Sequence, residues 1–295
     1  MKKKLMLIIN PMAGRSGYKL GFGEVMHTLD AGGYRTTVYF TERRGEATTL
    51  AAQHAGEYDT VACIGGDGTL SEVVSGLMQV ENPPALGYIP MGTTNDVAAT
   101  LGLPKLATEA ARRIVTGTPT PFDVGSFGDA AHFTYVAAFG AFTEVSYETP
   151  QTEKQALGHL AYLLEAAGRL PRLEPYNARV EYDGGVVEGN FLYGGVSNST
   201  SVAGMVKLRK DLVSLSDGVF ETLLIRNPQN ILEFNRIVSD ILSQNYDSES
   251  VTLLQSKKLR FTFDKPVAWT RDGEAGGEVR EITLRNNHAA IHIIA

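Results

Sequence analysis

Three short apolar runs, each ending in a polar, glycine-bearing loop with helical sequence behind it, constrain this chain most. The middle run is the most informative. Val61-Ala62-Cys63-Ile64 reads as a strand buried on both faces. Gly65-Gly66-Asp67-Gly68 follows, and glycines there permit positive φ and close approach of a ligand to the backbone. Leu70, Val73, Val74, Leu77 and Met78 then repeat at the spacing of an amphipathic helix. Thr69 with Glu72 has the pattern of a capping box. Strand, glycine loop and helix N-terminus together suit a phosphate group, because free N–H groups and the helix dipole both point at the loop. A tight turn with Asp67 as a turn residue is the alternative for this stretch taken alone.

The other two loops repeat the arrangement. Leu5-Met6-Leu7-Ile8-Ile9 leads into Asn10-Pro11-Met12-Ala13-Gly14-Arg15-Ser16-Gly17. Ala85-Leu86-Gly87-Tyr88-Ile89 leads into Pro90-Met91-Gly92-Thr93-Thr94-Asn95-Asp96. Helical sequence trails them over residues 18–31 and 97–101. Right-handed crossovers place all such strand ends on one edge of a parallel sheet, where ligands bind. One of Thr93, Thr94, Asn95 and Asp96 is expected to cap the next helix.

The character of the chain changes at Thr116-Gly117-Thr118-Pro119-Thr120-Pro121, which reads as a linker. Before it, strands alternate with helices in the α/β manner. After it, strand-like runs crowd together over 122–127, 132–139, 178–182, 186–193, 219–225, 251–254, 258–263, 279–285 and 290–294. Helical insertions are expected at 154–167 and 230–243. The expected organisation is an α/β domain over 1–121 and an antiparallel β-sandwich over 122–295, with the last strand or tail packing back on the first domain.

The motifs as a set resemble the soluble diacylglycerol and lipid kinases. Asn10-Pro11…Gly14…Gly17, Gly65-Gly66-Asp67-Gly68-Thr69…Glu72 and Gly92-Thr93-Thr94-Asn95-Asp96 are similar to three N-terminal signatures of that family. Ser216-Asp217-Gly218 and Arg271-Asp272-Gly273-Glu274 are similar to two C-terminal ones, so the resemblance spans nearly the whole chain. The Gly-Gly-Asp-Gly turn alone occurs in NAD kinases and phosphofructokinases too. The resemblance implies an NAD-kinase-like first domain and a β-sandwich second one. It also implies an ATP- and Mg²⁺-dependent kinase for the hydroxyl of a membrane lipid, foremost diacylglycerol.

Roles follow residue by residue. The resemblance places nucleotide on Asn10, Gly14, Thr41, Gly65, Gly66, Asp67, Gly68, Thr69, Leu70, Ser71, Thr93, Thr94 and Asn95. For Thr41 an N-cap before Glu42 is an equal alternative. Asp67 and Asp96, at neighbouring strand ends, are candidates to hold catalytic Mg²⁺ or its waters, since hard cations prefer oxygen ligands. Glu274 is implied as the general base and Asp272 as its supporting carboxylate; without the resemblance, Asp272-Gly273 reads as a hairpin turn. Asp217, with the backbone carbonyls of Ser214 and Val219, is implied as a structural Mg²⁺ site. Relatives often carry two adjacent acids there, where this chain has Ser216 before Asp217. Phosphoryl transfer suits such a set, because it needs phosphates held, charge neutralised and an alcohol oriented in line. No Walker A pattern occurs.

A net charge of −6 argues against nucleic acid as a partner. No apolar stretch approaches the ~18 residues that span a bilayer, and the apolar run after Lys2-Lys3-Lys4 is too short for a signal peptide. The expected location is the cytoplasm, with transient peripheral contact at the inner face of the membrane. Basic clusters at Lys207-Leu208-Arg209-Lys210, Arg169-Leu170-Pro171-Arg172 and Lys257-Lys258-Leu259-Arg260 read first as ordinary solvated faces; as docking candidates the first leads, because it lies close before the Asp217 loop. A second copy of the chain, in a homodimer, is a further expected partner. The lone Cys63 forms no internal disulfide. Rival readings are a kinase for a sphingoid base, ceramide or NAD, and a catalytically silent lipid or nucleotide sensor. Intact Asp67, Asp96 and Glu274 speak against the sensor.

Overall fold

The computed structural model describes residues 2–13, 21–93, 95–141, 175–198, 201–202, 206–207 and 214–295. Its first part alternates strand and helix: β1 (Lys3–Ile9), α1 (Phe22–Ala31), β2 (Tyr34–Phe40), α2 (Glu46–His54), β3 (Thr60–Gly65), α3 (Asp67–Leu77), β4 (Ala85–Pro90), α4 (Asp96–Leu101) and α5 (Ala107–Thr116). The strands run parallel in the order β2-β1-β3-β4. Ile9 pairs with Phe40 and Ile64, and Ile64 with Ile89, so the strand ends line up on one edge.

Burial on both faces explains why these strands read as unbroken apolar runs. Met6 and Ile8 of β1 pack with Ala47 and Ala51 of α2 and with Leu70, Val73, Val74 and Leu77 of α3. Leu5, Leu7 and Ile9 point the other way, toward Val25 and Leu29 of α1 and Ala110, Ala111 and Ile114 of α5. Each fully buried Leu or Ile contributes about 1.5–3 kcal/mol. Five consecutive buried residues therefore fix the register of β1 firmly.

The second part is built from strands: β5 (Pro119–Phe127), β6 (Ala131–Phe133), β7 (Val136–Gly140), β8 (Tyr176–Tyr182), β9 (Gly185–Ser197), β10 (Ser201–Val202), β11 (Val206–Lys207), β12 (Phe220–Arg226), β13 (Val251–Ser256), β14 (Lys258–Arg271) and β15 (Glu274–Ile294), with helix α6 (Ile231–Leu242) before β13. Their mutual pairing is antiparallel. The long strands change partners part-way. Residues 259–263 of β14 pair with β8 and 269–271 with β7, while β9 pairs with β8 and then β7. The sheet thereby folds round an aromatic centre of Phe139, Phe261, Phe263 and Trp269.

Several boundaries differ from expectation. The proline-rich stretch at 116–121 is not a free linker, because β5 begins at Pro119 and pairs there with Ile294. Proline fits that position because it sits at the first residue of the strand. The run over 132–139 is two strands, and the runs at 279–285 and 290–294 are one, β15. β15 joins the two parts: it leaves β14, pairs with β5, and ends parallel to β4 with Ile293 opposite Leu86. One hydrogen-bonded sheet of thirteen strands results. The helix expected at 154–167 and the basic stretch 169–172 lie outside the described residues, as do Leu208, Arg209 and Lys210.

Candidate active site

The glycine turn after β3 is shaped by crowding. Gly66 has φ −93, and neither Gly65 nor Gly68 has positive φ, so close approach rather than left-handed backbone explains the glycines. A Cβ on Gly65 would overlap the Thr69 side chain, and one on Gly92 would come within 2.5 Å of Gly66 Cα. The two strand-end loops touch backbone to backbone, and Met91 N–H donates to the Gly65 carbonyl at 2.7 Å.

The capping box expected of Thr69 and Glu72 does not form. The first turn of α3 has no side-chain cap. Thr69 Oγ1 instead accepts from Asn10 Nδ2 at 3.1 Å, tying the first loop to the second. Glu72 reaches across to α2 and accepts from the N–H groups of Gly45 (2.8 Å) and Ala47 (3.2 Å). Thr41 is buried; its N–H donates to the Ile9 carbonyl at 2.9 Å, and the N-cap of α2 is Gly45. Leu70 points into the core, and Thr93 is exposed. Gly14, Arg15 and Thr94 lie outside the described residues.

The third loop is held by Asn95, which adopts φ 52. Its Oδ1 accepts from Gly92 N–H (2.9 Å) and Tyr88 OH (3.2 Å), and its Nδ2 donates to the Gly92 carbonyl (2.8 Å). Asn95 occupies the N-cap position of α4 without a side-chain cap of its own. The capping acceptor is Asp67, whose carboxylate takes the N–H groups of Asp96 (3.1 Å) and Val97 (3.3 Å).

Four carboxylates, Asp67, Asp96, Asp272 and Glu274, line this edge, all close enough to bear on the charge of the buried Tyr135. Burial pushes Asp67 up from 3.8 to about 6, opposed by those two backbone N–H groups and reinforced by the charges of Asp96 and Asp272. Burial also raises Asp96. Asp272 is 5% exposed and sits at φ 48 in the hairpin between β14 and β15. Its carboxylate accepts from Ser71 Oγ (2.7 Å), Thr134 N–H (2.7 Å), Thr134 Oγ1 (2.8 Å), Tyr135 N–H (3.0 Å) and Val136 N–H (3.1 Å). The Asp-Gly turn of the sequence is present, yet Asp272 points inward and clamps α3 to the start of β7. Glu274 follows on the open side. Its Oε2 meets Arg44 Nη2 at 2.6 Å, and a Cβ on Gly68 would lie 3.5 Å from its Oε1. Sequence reasoning missed Arg44, Thr134 and Tyr135. The buried Tyr135 phenol is raised well above its usual range by desolvation and by Asp272.

The loop of Ser214, Asp217 and Val219 lies before β12. Asp217 is exposed and its Oδ1 accepts from Val219 N–H at 3.1 Å. The Val219 carbonyl accepts from Asn286 Nδ2 at 3.1 Å. Asp123, fully buried and also missed in the sequence, anchors the loop: its Oδ2 accepts from Gly218 N–H (2.7 Å) and its Oδ1 from Ala289 N–H (2.7 Å). Glu221 is fully buried; desolvation first, and the Asp217 charge after it, push it up from 4.5 to about 8. One Glu221 oxygen, Oε2, has no hydrogen-bond partner among the described residues. Among the described residues no three His, Cys, Asp or Glu side chains are grouped as metal ligands.

A family model described as the diacylglycerol kinase catalytic domain matches residues 4–127. The diacylglycerol kinase of Bacillus subtilis (strain 168) is 34% identical over 278 residues, covering 93% of this chain and 91% of the relative. That of Staphylococcus aureus (strain MRSA252) is 35% identical over 282 residues, covering 95% and 88%. This chain belongs to the diacylglycerol kinase family. It is a kinase, a phosphotransferase with an alcohol group as acceptor and ATP as donor. Among solved structures, a candidate diacylglycerol kinase of Bacillus anthracis strain Sterne superposes with a TM-score of 0.82 at 25% identity, over 99% of this chain and 96% of that one. No helix among the described residues of the kinase is long and apolar enough to cross a membrane.

Proposed function

We propose that this kinase transfers the terminal phosphoryl group of ATP to the free hydroxyl of diacylglycerol, giving phosphatidic acid. The observation that carries the reading is the seat of Glu274, with one oxygen against the glycine turn and the other on Arg44. A carboxylate there can take the proton of an alcohol held next to a phosphate on the turn. The alcohol oxygen then bonds to phosphorus, the bond to the bridging oxygen breaks, and ADP leaves. Asp272 acts through position, since its carboxylate is already filled by five donors. The nucleotide is assigned to Asn10, Gly14, Thr41, Gly65 through Ser71, Thr93, Thr94 and Asn95.

The oxygens present fit a hard divalent cation. Asp67 and Asp96 present carboxylate oxygens at neighbouring strand ends, where burial disfavours their ionised forms and a cation would favour them. Asp67 and Asp96 would hold Mg²⁺ at the phosphates, and Asp217 with the carbonyls of Ser214 and Val219 would hold a second. When bound, the metal neutralises developing phosphate charge.

An NAD-kinase-like domain over 1–121 and a β-sandwich over 122–295 complete the proposal, with lipid entering the cleft between them. The enzyme works in the cytoplasm at the inner face of the membrane, without a membrane span or a nucleic-acid partner, and as a homodimer. Labelled ATP offered with diacylglycerol, a sphingoid base, ceramide and NAD tests the acceptor. Diacylglycerol should be labelled fastest; preferential labelling of any other acceptor contradicts the assignment.

A further inference from the structure

The loop between β2 and α2 carries a cation, Arg44, whose only partner among the described residues is the carboxylate of Glu274. Arg44 follows Thr41 on the nucleotide side of the edge, and its guanidinium pairs with Glu274, 230 residues away. This is the one ion pair the carboxylate cluster makes among the described residues. The Glu274 carboxylate that Arg44 touches also lies against Gly68. The guanidinium is therefore held at the mouth of the cradle, still largely open to solvent. Both partners remain open, with 67% of the Arg44 side chain and 43% of Glu274 exposed. Neither side chain is pinned by burial, and an exposed pair of this kind is weak and easily exchanged.

Two requirements of the chemistry meet at this pair. The transferred phosphoryl group spreads negative charge over its oxygens and needs cations near them. The base must be free of its own cation when it accepts a proton. Resting on the kinase reading above, we infer that Arg44 is a ligand of the terminal phosphate of the donor, held in store by Glu274. When a triphosphate fills the cradle, the guanidinium exchanges the carboxylate for phosphate oxygens, which it can engage through two parallel N–H bonds. The exchange frees Glu274 as phosphate arrives, so base and donor become competent together.

Nucleotide binding without lipid tests this, with ATP and ADP titrated separately into wild type, Arg44→Ala, Arg44→Lys and Glu274→Gln. Hydrogen bonds to charged groups are worth roughly a factor of 10 to 100. Arg44→Ala should weaken ATP by about that factor and leave ADP unchanged, with Arg44→Lys intermediate. Glu274→Gln, which removes the competitor, should tighten ATP and not ADP. Equal weakening of ATP and ADP in Arg44→Ala, or no weakening of either, overturns the inference. An unchanged thermal midpoint for each variant excludes misfolding as the cause. The kinase reading is judged separately: it fails if Glu274→Gln keeps its turnover, whatever Arg44 does to binding.

Discussion

Asp67 meets two opposed demands. Its carboxylate caps α4 through the N–H groups of Asp96 and Val97, yet burial and two neighbouring carboxylates raise it from 3.8 to about 6. A raised carboxylate favours the protonated fold, so its contribution is full below about pH 4 and is lost as pH climbs through about 6. In chelator, wild type should lose thermal stability relative to Asp67→Asn between those values, and added Mg²⁺ should restore it. Melting curves across pH check this, and a difference that does not vary with pH contradicts it. Glu221 has the same sign but is present in both proteins, so it cancels. Asp67 stood out because it lies in a glycine loop between a buried strand and a helix, whereas Asp272 and Glu274 were pointed to only by the family resemblance of their Asp-Gly-Glu turn. Arg44 was not legible, since Glu42-Arg43-Arg44 reads as an ordinary solvated run. Glu221 hides on a strand whose burial is decided by distant chain segments.

Local signals and tertiary ones compete at the level of elements. The stripe of α3 was read correctly, because buried Leu70, Val73, Val74 and Leu77 follow helical periodicity. Its cap was not. Asn10 takes Thr69, and Glu72 serves α2. Glu72→Ala should therefore cost about 1 kcal/mol, with faster amide exchange at Gly45 and Ala47. Faster exchange confined to the first turn of α3 would restore the capping-box reading. The hairpin of β14 and β15 gives a second case. Its turn was legible, whereas the inward Asp272 was not, because its donors come from Ser71 and Thr134–Val136, far away in sequence. Asp272→Ala leaves these donors buried and unpaired and should cost at least about 2 kcal/mol. Chemical denaturation measures it, and a cost near zero would reduce the clamp to an incidental contact.

Across the whole molecule the two parts are joined by pairing. The end of β15 lies parallel to β4 and antiparallel to β5, so the parallel sheet does not end at β4. The alternation of strands and helices, then strands in close succession, was readable from periodicity and turn residues. The return of the last strand to the first part was expected and is present, but its register, Ile293 opposite Leu86, was not readable, because register between such distant segments leaves no local trace. A fragment of residues 1–121 lacks β15 and bares the edge of β4, which invites association. It should elute from size exclusion as aggregate or unfold at lower denaturant than the full chain. A monomeric fragment of undiminished stability would show that the joint contributes little.

The central claim is that a carboxylate on the hairpin of the second part deprotonates an alcohol at the nucleotide loops of the first. Steady-state phosphorylation of diacylglycerol by Glu274→Gln, run beside ATP binding by the same variant, tests it most directly. A positioned general base contributes about 10²–10⁴-fold, so kcat should fall by a factor in that range while ATP binding is not weakened. Undiminished turnover, or loss of turnover and ATP binding together, would contradict the account.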